Sequence, residues 1–186
     1  MNSYSEEDLL KGARDFNQES LAALFDLYVA GLFRYALRLL GDEPMARDCV
    51  SETYSRLLKN LSAGMGPEKF LKAYLYRIAH NWINDVYRKS SRLPLNLGDR
   101  DYADKKESPE KIAEKSMEKQ KMLQALRRLP PDQRQVIVLH FFEEWDYQQI
   151  AESMQKQPGN IRVLQHRGLE TLHKILGSDG EEGNYE

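Results

Sequence analysis

The sequence has a single cysteine, Cys49, among its 186 residues. One cysteine excludes an intramolecular disulfide and a cysteine-based zinc cluster, and it is typical of a reducing compartment. Long apolar runs are also missing. The N-terminal segment MNSYSEEDLLKGARDF has none that suits a signal peptide, and no stretch reaches the roughly 18 to 20 apolar residues of a membrane helix. These absences predict a cytoplasmic protein without a membrane partner.

Motifs for catalysis and metal binding are absent as well. The histidines show no HExxH spacing, and the sequence contains no Walker-type Gly-Lys loop and no GxSxG. The adjacent carboxylates Glu143 and Glu144 follow a predicted helix, where capping or solvation explains them. The sequence therefore predicts a protein that is not an enzyme and needs no metal or cofactor.

Charge is balanced in number but uneven in position. The chain has 27 basic and 29 acidic side chains, yet residues 69–92 hold six cations against one aspartate. The last nine residues, 178–186, hold four acidic side chains and no basic one. The overall charge of -2 does not reveal this uneven distribution of charge, so it says little about partners.

The pattern of apolar residues predicts helices throughout. Helical spacing runs along 21–39, 44–61 and 69–90, with Gly41 and a Gly-rich loop between these segments, and no alternating strand pattern appears. Four shorter helical patterns follow in 118–177. The segment 92–117 mixes proline, glycine and charged residues with hardly any apolar periodicity, as a mobile connector does. We expect an all-α protein with a helical domain at 1–91, a flexible linker at 92–117, a second helical domain at 118–177 and a disordered acidic tail at 178–186.

The third predicted helix has a polar stripe. Arg77, Asn81, Asn84 and Arg88 step by four, three and four residues, which places them on one face about 130° from the apolar one. Guanidinium and amide groups on one face can hold phosphates while offering hydrogen bonds to base edges. A merely solvated helix face explains the pattern equally well.

The second predicted helix places like charges next to each other. Asp48 and Glu52 are four residues apart, which costs a few tenths of a kcal/mol in an isolated helix. A partner surface could account for this pair. A solvated face on which Arg56 offsets Glu52 is an equally good interpretation from this helix alone.

The segment DYQQIAESMQKQPGNIRVLQHRGLETL is typical of a helix-turn-helix. Asp146 can cap the first helix with Gln149 three residues on, and Pro158 can open the second helix. A helical wheel points Arg162, Val163, His166 and His173 away from the apolar side, which would suit a DNA major groove. An ordinary helical hairpin with a solvated basic face is the alternative.

Together these segments resemble the bacterial sigma factors of the extracytoplasmic-function group. The likeness extends from about Leu9 to Leu176, and it is carried by FRYALRLLGDEPMARDCVSETYSRL, AYLYRIAHNWINDVYR, LRRLPPDQRQVIVLHFFEEWDYQQIAESM and PGNIRVLQHR. The resemblance implies sigma region 2 in the first domain and region 4 in the second. It also implies a transcription initiation factor whose partners are core RNA polymerase and promoter DNA, with an anti-sigma factor as a further candidate.

The resemblance also implies three groups of contact residues. On the second helix, the residues expected to bind core polymerase are Asp48, Val50, Glu52, Thr53 and Leu57. In the Gly-rich loop and the third helix, those expected to hold the melted minus-10 element are Met65, Arg77, His80, Asn81, Asn84 and Arg88. In the recognition helix, those expected to read the minus-35 element are Asn160, Arg162, Val163, His166 and Arg167.

The sequence departs from the family pattern at several of these positions. Tyr74 stands where the family often has tryptophan, and Met65 lies between two glycines where an aromatic residue is common. Gln157 replaces a common capping serine, and Leu164 replaces an arginine. The promoter sequences therefore cannot be inferred. A dimeric helix-turn-helix regulator without a polymerase role is the alternative function, and a nucleic-acid enzyme is a third that lacks any nucleophile or metal cluster.

Overall fold

The computed structural model describes residues 5–90 and 109–181, and these residues form helices and loops with no strand. The first group contains α1 (Glu6–Arg14), α2 (Gln18–Leu40), α3 (Glu43–Ser62) and α4 (Leu71–Ser90). The second contains α5 (Pro109–Arg128), α6 (Pro131–Phe141), α7 (Tyr147–Met154) and α8 (Pro158–Glu181). The all-α prediction is confirmed.

The observed helices differ from the predicted elements at three places. The helix α1 is not foreseen by the apolar pattern. The helix α5 begins at Pro109, so residues 109–117 of the predicted linker are helical, and the rest of that linker, 92–108, lies outside the described residues. The helix α8 continues to Glu181, so only the last part of the predicted tail lies outside the described residues.

The ends of the helices in the first half are closed by local hydrogen bonds. The Asn17 side chain accepts from the Ser20 N–H at 2.9 Å at the start of α2, and Asp42 accepts from the Met45 N–H at 2.8 Å at the start of α3. Gly41 ends α2 in the left-handed conformation with φ of 68°. The last carbonyls of α2 accept hydrogen bonds from Tyr87 and Arg127, which satisfies groups that a helix end leaves unpaired.

The helix α2 is the central core helix of the first half. Leu24, Leu32 and Tyr35 on α2 are fully buried, and α2 contacts α1, α3 and α4. Among the described residues, α2 is also the one helix that is long and apolar enough to cross a membrane by length and composition, although the sequence predicts no such segment. A core helix passes the same test, so length and composition alone do not indicate a membrane span.

The two halves pack against each other. Contacts join α4 to α7 and join α2 to both α5 and α6. Trp145, just before α7, is 2% exposed, and its ring lies 4.7 Å from the Tyr76 ring of α4. Arg38 on α2 forms an ion pair with Glu143 beyond α6. The sequence predicts domains that are either independently mobile or held together by a partner, whereas this structure of the chain alone has them in contact.

Candidate polymerase and nucleic-acid interfaces

The five predicted polymerase-binding residues of α3 lie on two different faces. Val50, Thr53 and Leu57 are buried, at 7%, 0% and 1% exposure, and the Thr53 hydroxyl donates to the Cys49 carbonyl at 2.7 Å. Asp48 is exposed, and the side chain of Glu52 is 41% exposed. Three of the five therefore position the helix, and the two carboxylates are the groups that a partner can reach.

Glu52 has an intramolecular partner. Arg56 Nε lies 2.7 Å from Glu52 Oε1, and both side chains are about 40% exposed, at 39% and 41%. An exposed pair of this kind contributes little to stability and is readily exchanged for another partner. The geometry is compatible with both interpretations of the sequence, a solvated face and a docking face.

The polar stripe of α4 is only partly open. Asn81 and Arg88 are exposed, and Arg88 pairs with Asp85 at 2.8 Å. Arg77 is half-buried and places its guanidinium 5.0 Å from the centre of the Tyr74 ring. Asn84 Oδ1 accepts from Arg134 Nη2 of α6 at 3.2 Å. One residue that the sequence assigns to DNA, Asn84, is thus in contact with the second half of the chain.

His80 lies in the core rather than on the polar stripe. It is 4% exposed, and its Nδ1 is 2.9 Å from the Tyr35 hydroxyl oxygen. Burial, with a smaller contribution from the cation of Arg134, lowers the pKa of His80 to about 3. The ring is therefore neutral at physiological pH and supports the fold from inside. In this arrangement His80 cannot reach DNA.

The loop 63–70 presents two apolar side chains to solvent. Met65 is 68% exposed and Phe70 is 55% exposed. Gly64 adopts φ of 70°, and the Met65 N–H donates to the Asn60 carbonyl at 2.8 Å, which folds the loop back on α3. Phe70 also has a positive φ of 57°, an uncommon conformation for a bulky residue. The sequence pattern identifies Met65 but misses Phe70.

The helix-turn-helix is confirmed. Asp146 and Gln149 form a capping box at the start of α7, Gln155 makes the turn with φ of 53°, and Pro158 opens α8. Gly168 packs so closely on α6 that a Cβ would lie 3.0 Å from Ile137 Cγ1. The residues predicted to read the minus-35 element are all exposed on α8: Asn160, Arg162, Val163, His166 and Arg167.

Tyr147 supports this reading face and is missed by the sequence pattern. Its hydroxyl donates to Gln165 Oε1 at 2.6 Å, and the Arg162 guanidinium lies 5.2 Å from the centre of its ring. The ring itself stacks on His140 with centroids 5.0 Å apart and an angle of 16° between the planes. An aromatic residue directly after the capping Asp146 is the only signal in the sequence, and it reads as an ordinary core residue.

Comparisons with known proteins identify the family. A family model described as sigma-70 region 2 matches residues 24–93, and one described as sigma-70, region 4 matches residues 119–172. The extracytoplasmic-function (ECF) RNA polymerase sigma factor BldN of Streptomyces coelicolor is 30% identical over 92% of this chain and 66% of its own length. This chain belongs to the ECF sigma factors.

Other relatives of the sigma factor are of similar size. SigL of Mycobacterium tuberculosis is 28% identical over 90% of the chain and 94% of its own length. The solved structure of CnrH in complex with the cytosolic domain of CnrY has a TM-score of 0.70 at 20% identity, and it covers 94% of this chain and 98% of that one. The RpoE structure from Bartonella quintana, in complex with the anti-sigma factor NepR, has a TM-score of 0.61 at 23% identity over 89% of this chain and 99% of that one. These two structures establish the fold.

Family membership establishes the general function. The sigma factor is a transcription initiation factor that recognises promoters and acts with core RNA polymerase on promoter DNA. Sigma factors are transcription factors rather than enzymes, and the polymerase on which they act is a cytoplasmic machine. The positions of the exposed residues indicate which surface of this chain performs each part of that task.

Proposed function

We propose that this sigma factor divides promoter recognition between its two halves. The recognition helix α8 reads the minus-35 element as a duplex. The helix α4 and the loop 63–70 hold the minus-10 strand after melting, and Asp48 and Glu52 on α3 dock on core RNA polymerase. The proposal rests chiefly on the exposure of all the candidate readers along the outer face of α8, in a motif whose inner face is buried at Ile161 and Leu172.

The chemistry of α8 fits base reading in a major groove. Arginine can bind the O6 and N7 acceptors of guanine with two hydrogen bonds, and an apolar group can contact the thymine methyl. Arg162 and Val163 are adjacent and exposed, so they would reach neighbouring positions of the element. Tyr147 restricts the conformations of Arg162 before DNA arrives, which lowers the entropy lost on binding.

The same proposal assigns the remaining parts of the chain. Region 2 is assigned to 1–91 and region 4 to 118–177, and the matched residues 24–93 and 119–172 support this division. The chain supplies no catalytic group and works in the cytoplasm beside the polymerase that makes the RNA. An anti-sigma factor is a further proposed partner, because the related RpoE of Bartonella quintana was solved in a complex with one.

Arg162 provides the test of duplex reading. Each good base contact is worth about 1 to 3 kcal/mol, so Arg162→Ala should lower discrimination at one or two upstream positions by about 5- to 150-fold. The measurement is transcription by the reconstituted holoenzyme on promoters that differ base by base in the minus-35 element. Discrimination in the minus-10 element should stay unchanged.

Lys174→Ala is the matched control, since Lys174 is also an exposed cation of α8 but lies three turns further on. If Arg162→Ala weakens all upstream sequences equally, as Lys174→Ala would do through general electrostatics, Arg162 is a phosphate contact and the assignment is wrong. Co-purification with core polymerase subunits separates the proposal from a dimeric regulator, which would bind DNA without them.

A further inference from the structure

The helix α1 has no assigned role. It spans Glu6–Arg14 and therefore lies outside residues 24–93, which match the region 2 family model. A capping box at Ser5 and Asp8 starts the helix, and its buried face consists of Leu9, Leu10 and Ala13. These side chains anchor α1 on α2 and α3, which leaves its polar residues free to reach neighbouring segments.

Two polar side chains from opposite ends of α1 reach the loop 63–70. Arg14 Nη2 donates to the Pro67 carbonyl at 2.6 Å. Glu6 Oε1 accepts from the Leu71 N–H at 2.8 Å, at the point where the loop enters α4. The helix α1 therefore holds the backbone at two places four residues apart, at Pro67 in the loop and at Leu71, the first residue of α4.

The contact with Glu6 replaces a missing cap. The first N–H groups of a helix have no partner inside the helix, and a side-chain acceptor directly before it usually supplies one. Phe70 precedes α4 and has no acceptor in its side chain, and the first turn of α4 contains no acidic residue. The carboxylate of Glu6 fills this role from another helix, where the helix dipole also favours a negative charge.

Glu6 is itself held in place. The Tyr28 hydroxyl of α2 donates to Glu6 Oε2 at 3.0 Å, and Tyr28 is 9% exposed. Burial, together with the nearby charge of Glu6, raises the pKa of Tyr28, so the phenol keeps its proton and remains a donor at physiological pH. One carboxylate thus joins α1, α2 and the start of α4.

The segment held in this way is the strained end of the loop. Phe70 lies between Pro67 and Leu71, it adopts a φ of 57°, and the residue is 55% exposed. A bulky residue with a positive φ persists only where its surroundings fix it, and such residues cluster at functional sites. An exposed aromatic ring can stack on an unpaired base.

We propose that α1 is a clamp on the loop 63–70. Glu6 and Arg14 are positioning residues that fix the backbone from Pro67 to Leu71 and so set where Phe70 meets the unpaired promoter strand. This inference rests on the proposed function of α4 and the loop in holding the minus-10 strand. It adds the residues that orient the loop and the aromatic ring that the loop presents.

The test compares matched substitutions on α1 in the full-length chain bound to core polymerase. Glu6→Ala and Arg14→Ala remove the two loop contacts. Glu7→Ala and Lys11→Ala are the controls, because they remove the same charges from exposed positions of the same helix. Permanganate footprinting reports opening of the minus-10 element. Transcription from promoters altered base by base reports discrimination in both elements.

Glu6→Ala should lower discrimination among minus-10 variants by about fivefold, the effect expected from losing a capping interaction, and Arg14→Ala should lower it by a similar factor through the loss of one charged hydrogen bond. The controls and minus-35 discrimination should stay at the wild-type level. Glu6→Gln should recover most of the loss, since its amide oxygen can still accept from the Leu71 N–H. Phe70→Ala should reproduce the loss without changing the loop contacts.

Two further outcomes separate the clamp from the function on which it rests. If Asn81→Ala leaves minus-10 opening unchanged, α4 does not hold the minus-10 strand. The proposed clamp is then overturned as well, because it depends on that role. If Asn81→Ala impairs opening but Glu6→Ala and Arg14→Ala behave like their controls, the clamp alone is overturned. A parallel fall in minus-10 and minus-35 discrimination would mean that α1 only stabilises the fold. Should Glu6→Ala not fold, Arg14→Ala decides, because Arg14 is exposed.

Discussion

His80 couples the stability of the first half to pH. Its folded pKa is about 3, because burial disfavours the charged ring, whereas an exposed histidine has a pKa of about 6.5. Between these values the unfolded chain binds a proton that the folded chain does not. Stability contributed by the neutral ring is therefore fully present above pH 6.5 and is lost as the pH falls toward 3.

His80→Asn should remove this dependence while keeping a group near the Tyr35 hydroxyl. Unfolding by urea at pH 7.5, 6.5 and 5.5 should show the wild type losing up to about 1.4 kcal/mol per pH unit below 6.5 relative to the variant. The matched control is His173→Asn, an exposed histidine of α8. Equal pH slopes for the wild type and His80→Asn would contradict a neutral, buried His80.

The role of a single residue was predictable where nearby sequence alone determines its environment. The capping role of Asp146 depends only on local sequence, and the structure has it. The burial of His80 depends on α2, which packs Tyr35 against the ring, and a helical wheel contains no information about that neighbour. Thr53 is a second residue whose burial the sequence did not reveal. Its hydroxyl donates to the Cys49 carbonyl four residues earlier, so the side chain can be buried at little cost.

At the scale of one element, α3 separates folding from docking. Its inner face is buried at Val50, Thr53 and Leu57, while its outer face carries Asp48 and Glu52. Substitutions on the outer face should therefore change partner binding without changing stability. The pair of Glu52 with Arg56 is exposed, so its loss should cost only a few tenths of a kcal/mol.

Glu52→Lys should weaken binding to core polymerase and shift the melting temperature by only about 1 °C. Fluorescence anisotropy with labelled sigma factor gives the affinity, and differential scanning calorimetry gives the melting temperature. Glu43→Lys is the control, because Glu43 also pairs with an arginine four residues on, while helical geometry places it about 180° around α3 from Glu52. A large stability loss with normal polymerase binding would contradict the docking role.

Element prediction succeeded where apolar spacing is regular. The helices α2, α3 and α4 and the pair α7 and α8 follow from periodicity and capping residues. The helix α1 was missed because nine residues with an acidic start show too few apolar positions to reveal a period. The start of α5, PEKIAEKSM, reads as a linker because it is polar and charged, and polar segments form helices without an apolar stripe.

At the scale of the whole molecule, contact between the halves restricts access to α4. Arg134 of α6 is 2% exposed, donates to Asn84, and lies 4.0 Å from the centre of the Tyr87 ring. While Asn84 Oδ1 accepts from Arg134, this half-buried side chain is held against the second half and is less available to a DNA strand. Separation of the halves would free Asn84 and so open the whole polar stripe to the promoter strand.

The ion pair of Arg38 with Glu143 offers a way to test this closed arrangement. The Glu143 side chain is 6% exposed, and its carboxylate also accepts from the Tyr76 hydroxyl at 3.4 Å. Burial raises the pKa of Glu143, and the cation of Arg38 opposes that rise. Removing one partner of a buried pair leaves an uncompensated charge, which is strongly destabilising.

Arg38→Glu should therefore place two carboxylates together and push the halves apart. Small-angle scattering should give a radius of gyration near 16 Å for the compact wild type, as expected for about 186 residues, and a clearly larger value for the variant. The double variant Arg38→Glu with Glu143→Arg restores opposite charges and should return to the compact value. Circular dichroism must show unchanged helix content in all three proteins. A variant that keeps both its helices and its compact radius would show that this ion pair does not hold the halves together.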